Sequence, residues 1–432
     1  MKRIGVLAWG LLAAAPALAA PGQETPYAPV TPPPAGESVC PGGLCQPEAL
    51  ERLFEALTAA EVERRPGPVH ILQIGDSHTA GDRITGKLRA TLQARFGDGG
   101  RGVLPPGVPH AGYSPMQVEV TANDWTLSPA PLASRGDLPS GGVGLAGVRA
   151  ITIGPGAELR LRQAPRVAIA SIISICGEGQ GRLRVEADQE VWEEESFDED
   201  ERGRSCQYLL TDGWPEEIVL RPLDSTLALH DVRLSALAGV VVSNLGMVGA
   251  TLRDLAARDD AVVAMQLANW RVQLIVLAFG TNEGFEEGLD AAAYEALLRG
   301  QVARLRRLAP DASLMILGAP DALKNGVTDG CSADGLRAPP PTLAVVRDVQ
   351  RRIAADLGVA FWDWHGRMGG DCSADRLALG AEPLMRGDRV HFTSAGADWI
   401  GGILAGDLMA AYDAWKAGRT ETGQAEAPGG AE

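Results

Sequence analysis

Apolar residues along this chain follow two rhythms. Over 46–96 and again over 239–416, short continuous apolar runs alternate with longer stretches in which apolar residues recur at helical spacing. The run 69–74 stops at Gly75-Asp76-Ser77 and reads as a short buried strand. Ile84, Leu88 and Leu92 then predict a helix over 83–96, and Leu50, Leu53, Phe54 and Leu57 share one face of a helix over 46–63. The same reading predicts strands over 239–243, 273–279, 313–318 and 359–362, with helices over 249–267, 291–308, 342–357 and 394–416. Five strands with helices between them imply an α/β fold. The expected arrangement is a doubly wound, five-stranded parallel sheet in the flavodoxin-like order 2-1-3-4-5.

Between 110 and 236 the helical period disappears. Short runs at 148–153, 158–161, 167–175, 182–185, 218–220 and 227–234 are separated by turn residues, which predicts an inserted β-sandwich. The α/β rhythm lies on either side of it, so the expected parts are 40–109, the insert 110–236, and 237–416. Residues 97–109 are rich in Gly and Pro and should be irregular. The acidic run 190–204 reads as a solvated hairpin loop, since it lacks the Asp spacing of a calcium loop. Trp125, Trp192, Trp214, Tyr113 and Tyr208 could stack on sugar rings, but packing roles are expected for them.

The ends of the chain add a compartment. Lys2-Arg3, an apolar core and Ala17-Leu18-Ala19 read as a signal peptide over 1–19, and therefore as export to the periplasm. A Pro-rich linker over 20–39 follows, and a polar tail over 417–432 is expected to be disordered. No later segment is apolar enough to insert in a membrane. A net charge of −16 argues against a nucleic-acid partner. Six cysteines suit an oxidising compartment, and their positions predict pairs Cys40–Cys45, Cys176–Cys206 and Cys331–Cys372. Zinc is the competing use, but there is no Cys-x-x-Cys and the histidines are scattered.

Candidate chemistry sits where predicted strands end. Ser77 follows the first strand, Gly249 the second and Asn282 the third, while Asp388 and His391 precede the last helix. In a parallel sheet these ends converge on one edge. A serine needs a base, an imidazole serves near neutral pH, and a carboxylate three residues away can fix its tautomer. The Ser77 and Gly249 N–H groups and the Asn282 amide could hold an oxyanion. The set is sufficient for acyl transfer with no metal and no cofactor. Asp363 and His365 form a second acid/base pair after a strand, read as loop residues. His78 adjoins Ser77, but neighbours at a turn point apart, so His391 is preferred as the base.

Gly75-Asp76-Ser77-His78, Gly249, Gly280-Thr281-Asn282 and Asp388-x-x-His391 resemble, in family order, the four sequence blocks of the SGNH (GDSL-type) hydrolases, with His78 standing where that family has leucine. Gly75-Asp76-Ser77-His78-Thr79-Ala80-Gly81-Asp82 and the later Phe96-Gly97-Asp98-Gly99-Gly100-Arg101-Gly102 look like the peptidoglycan O-acetylesterases of Gram-negative bacteria. Those enzymes carry an insert similar to a carbohydrate-binding module. The resemblance implies a periplasmic serine esterase acting on an O-acetylated polysaccharide, namely peptidoglycan at the C6 hydroxyl of N-acetylmuramic acid. It implies Ser77, Asp388 and His391 as catalytic residues, and Ser77, Gly249 and Asn282 as the oxyanion hole. Two alternatives are an O-acetyltransferase using the same triad and an inactive carbohydrate-binding protein.

Overall fold

The computed structural model describes residues 32–425 except 63, 130–141, 153–155, 189, 195–196, 198–202 and 225–226. The expected signal peptide, most of the linker and part of the acidic run 190–204 lie outside the described residues. The chain begins its first layer with β1 (Leu44–Cys45), α1 (Glu51–Glu61), β2 (Val69–Gly75), the one-turn helix α2 (Ser77–Ala80) and α3 (Arg83–Phe96). Eleven strands follow: β3 (Gly102–Leu104), β4 (Val118–Asn123), β5 (Trp125–Pro129), β6 (Val148–Thr152), β7 (Glu158–Gln163), β8 (Ala170–Glu178), β9 (Leu183–Ala187), β10 (Glu190–Glu194), β11 (Arg204–Asp212), β12 (Glu217–Pro222) and β13 (Ala228–Ala236).

The α/β rhythm then resumes with β14 (Val240–Gly246), α4 (Leu252–Ala256), α5 (Asp260–Trp270), β15 (Leu274–Ala278), α6 (Thr281–Gly284), α7 (Ala291–Leu308) and β16 (Ser313–Leu317). A small pair, β17 (Lys324–Asn325) and β18 (Arg337–Ala338), precedes α8 (Pro341–Leu357), β19 (Ala360–Trp362), α9 (Trp364–Arg367), α10 (Ser373–Arg376) and α11 (Ser394–Ala425).

The central sheet runs β1-β19-β16-β15-β2-β14. Its five longer-range strands are mutually parallel in the expected order 2-1-3-4-5. The expectation of a purely parallel sheet is corrected by β1, which pairs antiparallel with β19. That edge strand is two residues long, beside the Cys40–Cys45 disulfide, and too short to show a period. Alternate residues of each strand face opposite layers. Ile71, Val242 and Val276 pack with Leu53, Leu88 and Leu404 of α1, α3 and α11. Leu72, Ile275 and Leu277 pack with Leu267, Leu298 and Val346 of α5, α7 and α8. Burying one such leucine stabilises by about 1.5–3 kcal/mol.

Two antiparallel sheets, β10-β9-β12-β7-β4 and β11-β8-β13-β6-β5, make up the middle of the chain. Leu159, Leu161, Val185 and Ile218 of the first pack with Ile173, Ile175, Leu229 and Val232 of the second. All six predicted strands of this region are present. The unpredicted β4, β5, β10 and β11 are the four sheet edges, where one side is unpaired and polar residues interrupt any apolar run. Upstream of residue 110, β3 pairs with β13.

Two helices depart from expectation. The stretch 249–267 holds two helices, because the Asp259 carboxylate accepts the N–H groups of Ala261 and Val262 and starts α5 afresh. The last helix runs to Ala425, so residues 417–425, expected to be disordered, are helical. Arg419 there lies 3.0 Å from Glu51 and over the Trp415 ring, 5.0 Å from its centroid. The remainder of the tail lies outside the described residues. All three expected disulfides are present, which removes zinc as a use for these cysteines. Cys176 and Cys206 are direct cross-strand partners of β8 and β11.

Candidate active site

Ser77 opens α2 immediately after β2. The turn is tight because two glycines admit it. A Cβ on Gly75 would collide with Thr79 Oγ1 and the Ala278 carbonyl, and one on Gly246 would collide with the Ala80 backbone. Asp76 caps the turn by accepting the His78 N–H at 2.9 Å.

Ser77 Oγ lies 3.0 Å from Nε2 of His391, and Nδ1 of His391 lies 2.8 Å from Asp388 Oδ2. A carboxylate only accepts, so Nδ1 carries a proton; in the neutral ring Nε2 is then bare and accepts from the Ser77 hydroxyl. The other Asp388 oxygen accepts the N–H groups of Val390 and His391, each at 2.9 Å. Burial alone would raise the Asp388 carboxyl, but these N–H groups and the His391 ring outweigh it and hold it below its ordinary value. The three residues predicted at remote positions thus form one hydrogen-bonded chain, able to activate a serine for attack on an ester.

The predicted oxyanion donors come from two loops that are tied together. Gly249 sits in the turn after β14 with φ +78°, a conformation that favours glycine. Asn282, in the first turn of α6, donates through Nδ2 to the Ala250 carbonyl at 2.8 Å. The neighbouring Glu283 accepts the Leu252 N–H at 2.7 Å and the Gly280 N–H at 3.0 Å, clamping the two loops. Burial raises Glu283 to about 7, against those two N–H groups and with the Asp76 charge adding to it. Among the described residues the N–H groups of Ser77 and Gly249 find no acceptor, so both remain available to one.

Ser77 and His391 open onto a cavity of about 580 Å³, lined also by Val248, His110, Ser114 and Met116. The wall from His110 to Met116 belongs to none of the four sequence blocks. It is fastened by Asp82, whose carboxylate accepts the Met116 N–H at 2.8 Å, Arg89 Nη2 at 2.8 Å and Arg101 Nη2 at 3.0 Å. Asp82 adopts a positive φ of 49° and is buried with both arginines. Burial would raise its carboxyl, but the two guanidinium groups hold it low.

Asp363 and His365 lie elsewhere, and the expectation of loop residues is corrected for His365: Asp363 caps α9 and His365 lies within it. Asp363 accepts from Ser38 Oγ at 2.8 Å and the Gly366 N–H at 3.0 Å, while His365 Nε2 stands 2.9 Å from Asp371. Asp321, His365 and Asp371 have donor atoms within 4.8 Å of one another, the one group among the described residues able to hold a metal. His365 and Asp371 line a separate cavity of about 490 Å³, where Arg347 stands 3.5 Å from Asp371 and competes for it. His78 does not face Ser77; its Nε2 lies 2.9 Å from the Val390 carbonyl. Asp82 and Glu283 were not singled out in sequence. Each is a carboxylate inside or beside a quoted motif, which was the only trace available.

The chain matches the GDSL-like lipase/acylhydrolase family over residues 210–399, a stretch that holds Gly249, Asn282, Asp388 and His391 but not Ser77. A solved peptidoglycan O-acetylesterase is similar over 85% of this chain and 96% of its own, with 27% identity and a TM-score of 0.69. An acetyl xylan esterase, AlAXEase, aligns over 38% of this chain and 78% of its own at 17% identity, TM-score 0.29. A family two carbohydrate esterase from Cellvibrio japonicus aligns over 68% and 99% at 12% identity, TM-score 0.28. No curated protein sequence matches. No described helix is long and apolar enough to cross a membrane.

Proposed function

We propose a substrate and a set of residue roles for this chain, which carries a GDSL-like lipase/acylhydrolase domain and is a carboxylic ester hydrolase. The substrate is O-acetylated peptidoglycan, with the ester on the C6 hydroxyl of N-acetylmuramic acid. Ser77 Oγ attacks the acetyl carbonyl carbon as its proton passes to His391 Nε2. The tetrahedral oxyanion rests on the Ser77 and Gly249 N–H groups and the Asn282 amide. Collapse breaks the ester bond, and His391 returns the proton to the departing sugar oxygen. Water then repeats the attack on the acetyl-enzyme and releases acetate. Asp388 keeps the His391 tautomer throughout.

The observation that carries this reading is the 3.0 Å contact between Ser77 and His391 at the mouth of an open cavity. The substrate rests on likeness to the peptidoglycan O-acetylesterase. The two antiparallel sheets would then be an inserted β-sandwich resembling a carbohydrate-binding module, and residues 1–19 would export the protein to the periplasm. The test is acetate release from native and base-treated peptidoglycan. The wild type should release acetate only from the native wall, and Ser77→Ala, folded to an unchanged Tm, should lose about 10³-fold or more in kcat. Acetate release by a folded Ser77→Ala protein would reject the roles; activity on small acetyl esters but not on the wall would reject the substrate.

A further inference from the structure

His78 is the one residue of the first block that departs from the leucine of the GDSL pattern, and its side chain is buried. Its ring spans two segments that must meet for catalysis. On one side Nδ1 lies 3.3 Å from Asp76 Oδ1, in the turn that presents Ser77. On the other, Nε2 lies 2.9 Å from the carbonyl oxygen of Val390, between Asp388 and His391. A carbonyl only accepts, so Nε2 carries a proton and donates it. The ring is fixed in plane by edge contacts with Trp364 at 5.4 Å and Phe392 at 5.9 Å, and stacks on His391 at 5.5 Å. A leucine would fill the same apolar space but could not hold the carbonyl.

We propose that His78 is a positioning residue for ester hydrolysis: its Nε2–H holds the Val390 carbonyl and thereby sets the reach of His391 to Ser77. The proposal rests on the roles given above for Ser77 and His391. The physical reason for its weight is distance. Other ties on the loop from 386 to 392 run to other segments, among them Arg389 Nε to Asp375 at 2.9 Å and the Leu323 N–H to the Arg389 carbonyl at 3.0 Å. His78 ties the loop's backbone to the nucleophile's own turn, apart from the Ser77–His391 contact that catalysis uses. Burial disfavours its charged form, but the hydrogen bond and charge of Asp76, the Val390 carbonyl and the Asp388 charge outweigh that and raise its pKa.

Three variants separate the donor from the packing. Glutamine carries its amide nitrogen at the reach of Nε2, asparagine at that of Nδ1, and leucine has neither. A misplacement of about 1 Å at a reacting group can cost about 10²-fold. His78→Leu and His78→Asn should therefore lose roughly 10- to 100-fold in kcat on a chromogenic acetate ester, with KM within about twofold. His78→Gln should recover most of it. The rate at which a fluorophosphonate labels Ser77 should fall and recover in the same order. Full activity in a folded His78→Leu protein would overturn the proposal, as would equal activity in the Asn and Gln variants, a comparison that stands even where the Leu variant fails to fold. If Ser77→Ala is inactive while His78→Asn is fully active, only this proposal fails. If Ser77→Ala remains active, the catalytic reading beneath it fails.

Discussion

Strands β2, β15 and β16 are buried at every residue, while β7 and β9 alternate buried with partly exposed positions. The difference follows from what covers each sheet. The central sheet has helices on both faces, so its strands are mostly apolar, with buried exceptions such as Gln73 of β2 and Ser243 of β14. The antiparallel sheet that holds β7 and β9 has one wet face. That face carries charge ladders such as Arg162–Glu217 at 2.8 Å and Arg221–Glu158 at 2.8 Å. Polar groups are thus spread along the antiparallel strands but concentrated at the tips of the parallel ones. The contrast teaches where to expect consequences: changes at the tips should reach activity, and changes in the antiparallel sheets should reach stability.

The largest expected effect is at a tip. Asn282→Ala should cost kcat about 10²–10³-fold, equivalent to about 2.7–4 kcal/mol, with little change in Tm. A variant that unfolds instead would show that the tie to Ala250 is structural first, and would blur the contrast. Next, replacing Cys176 and Cys206 together by serine removes a link closing a 30-residue separation between β8 and β11. The loss should be about 3 kcal/mol of stability, read as a lower denaturant midpoint, with kcat on a small ester within about twofold. A collapse of kcat in a folded double variant would couple the two regions.

The smallest effect concerns pH. Burial raises Asp231, on β13, to about 7, against a hydrogen bond from Gln266. Its unfolded value is about 3.9. Between these values the folded state keeps a proton that the unfolded chain has released. Stability is therefore full below about pH 4, falls as pH rises to about 7, and is flat above. Glu283 contributes the same slope from the α/β side. Tm should fall by a few degrees from pH 5 to pH 8, and Asp231→Asn should flatten part of that fall. An unchanged slope in the variant would assign the effect to Glu283 alone.

The same contrast explains how much could be read from sequence. Fully buried strands leave continuous apolar runs, so the order 2-1-3-4-5 and the convergence of Ser77, Asp388 and His391 followed from pattern and topology. The inner antiparallel strands were visible through their turns, and the edges β4, β5, β10 and β11 were not, because an edge is defined by a partner it lacks rather than by its residues. The cross-strand pairing of Cys176 with Cys206 was readable without knowing that β11 existed. Asp82, Glu283 and the reach of His78 were invisible for another reason. Each acts through a backbone N–H or carbonyl of a distant segment, and backbone groups leave no mark on sequence.

Asp82 anchors a pocket wall that comes from outside the recurring motifs. The segment from His110 to Met116 hangs on one carboxylate and two guanidinium groups, while Ser77 is presented by the end of β2 and His391 by the segment before α11. Shape and chemistry are therefore specified by separate pieces of chain. Lengthening or re-sequencing the part of that segment before Met116 would remodel which ester fits the cavity, and leave the hydrogen-bonded chain of serine, imidazole and carboxylate where it is.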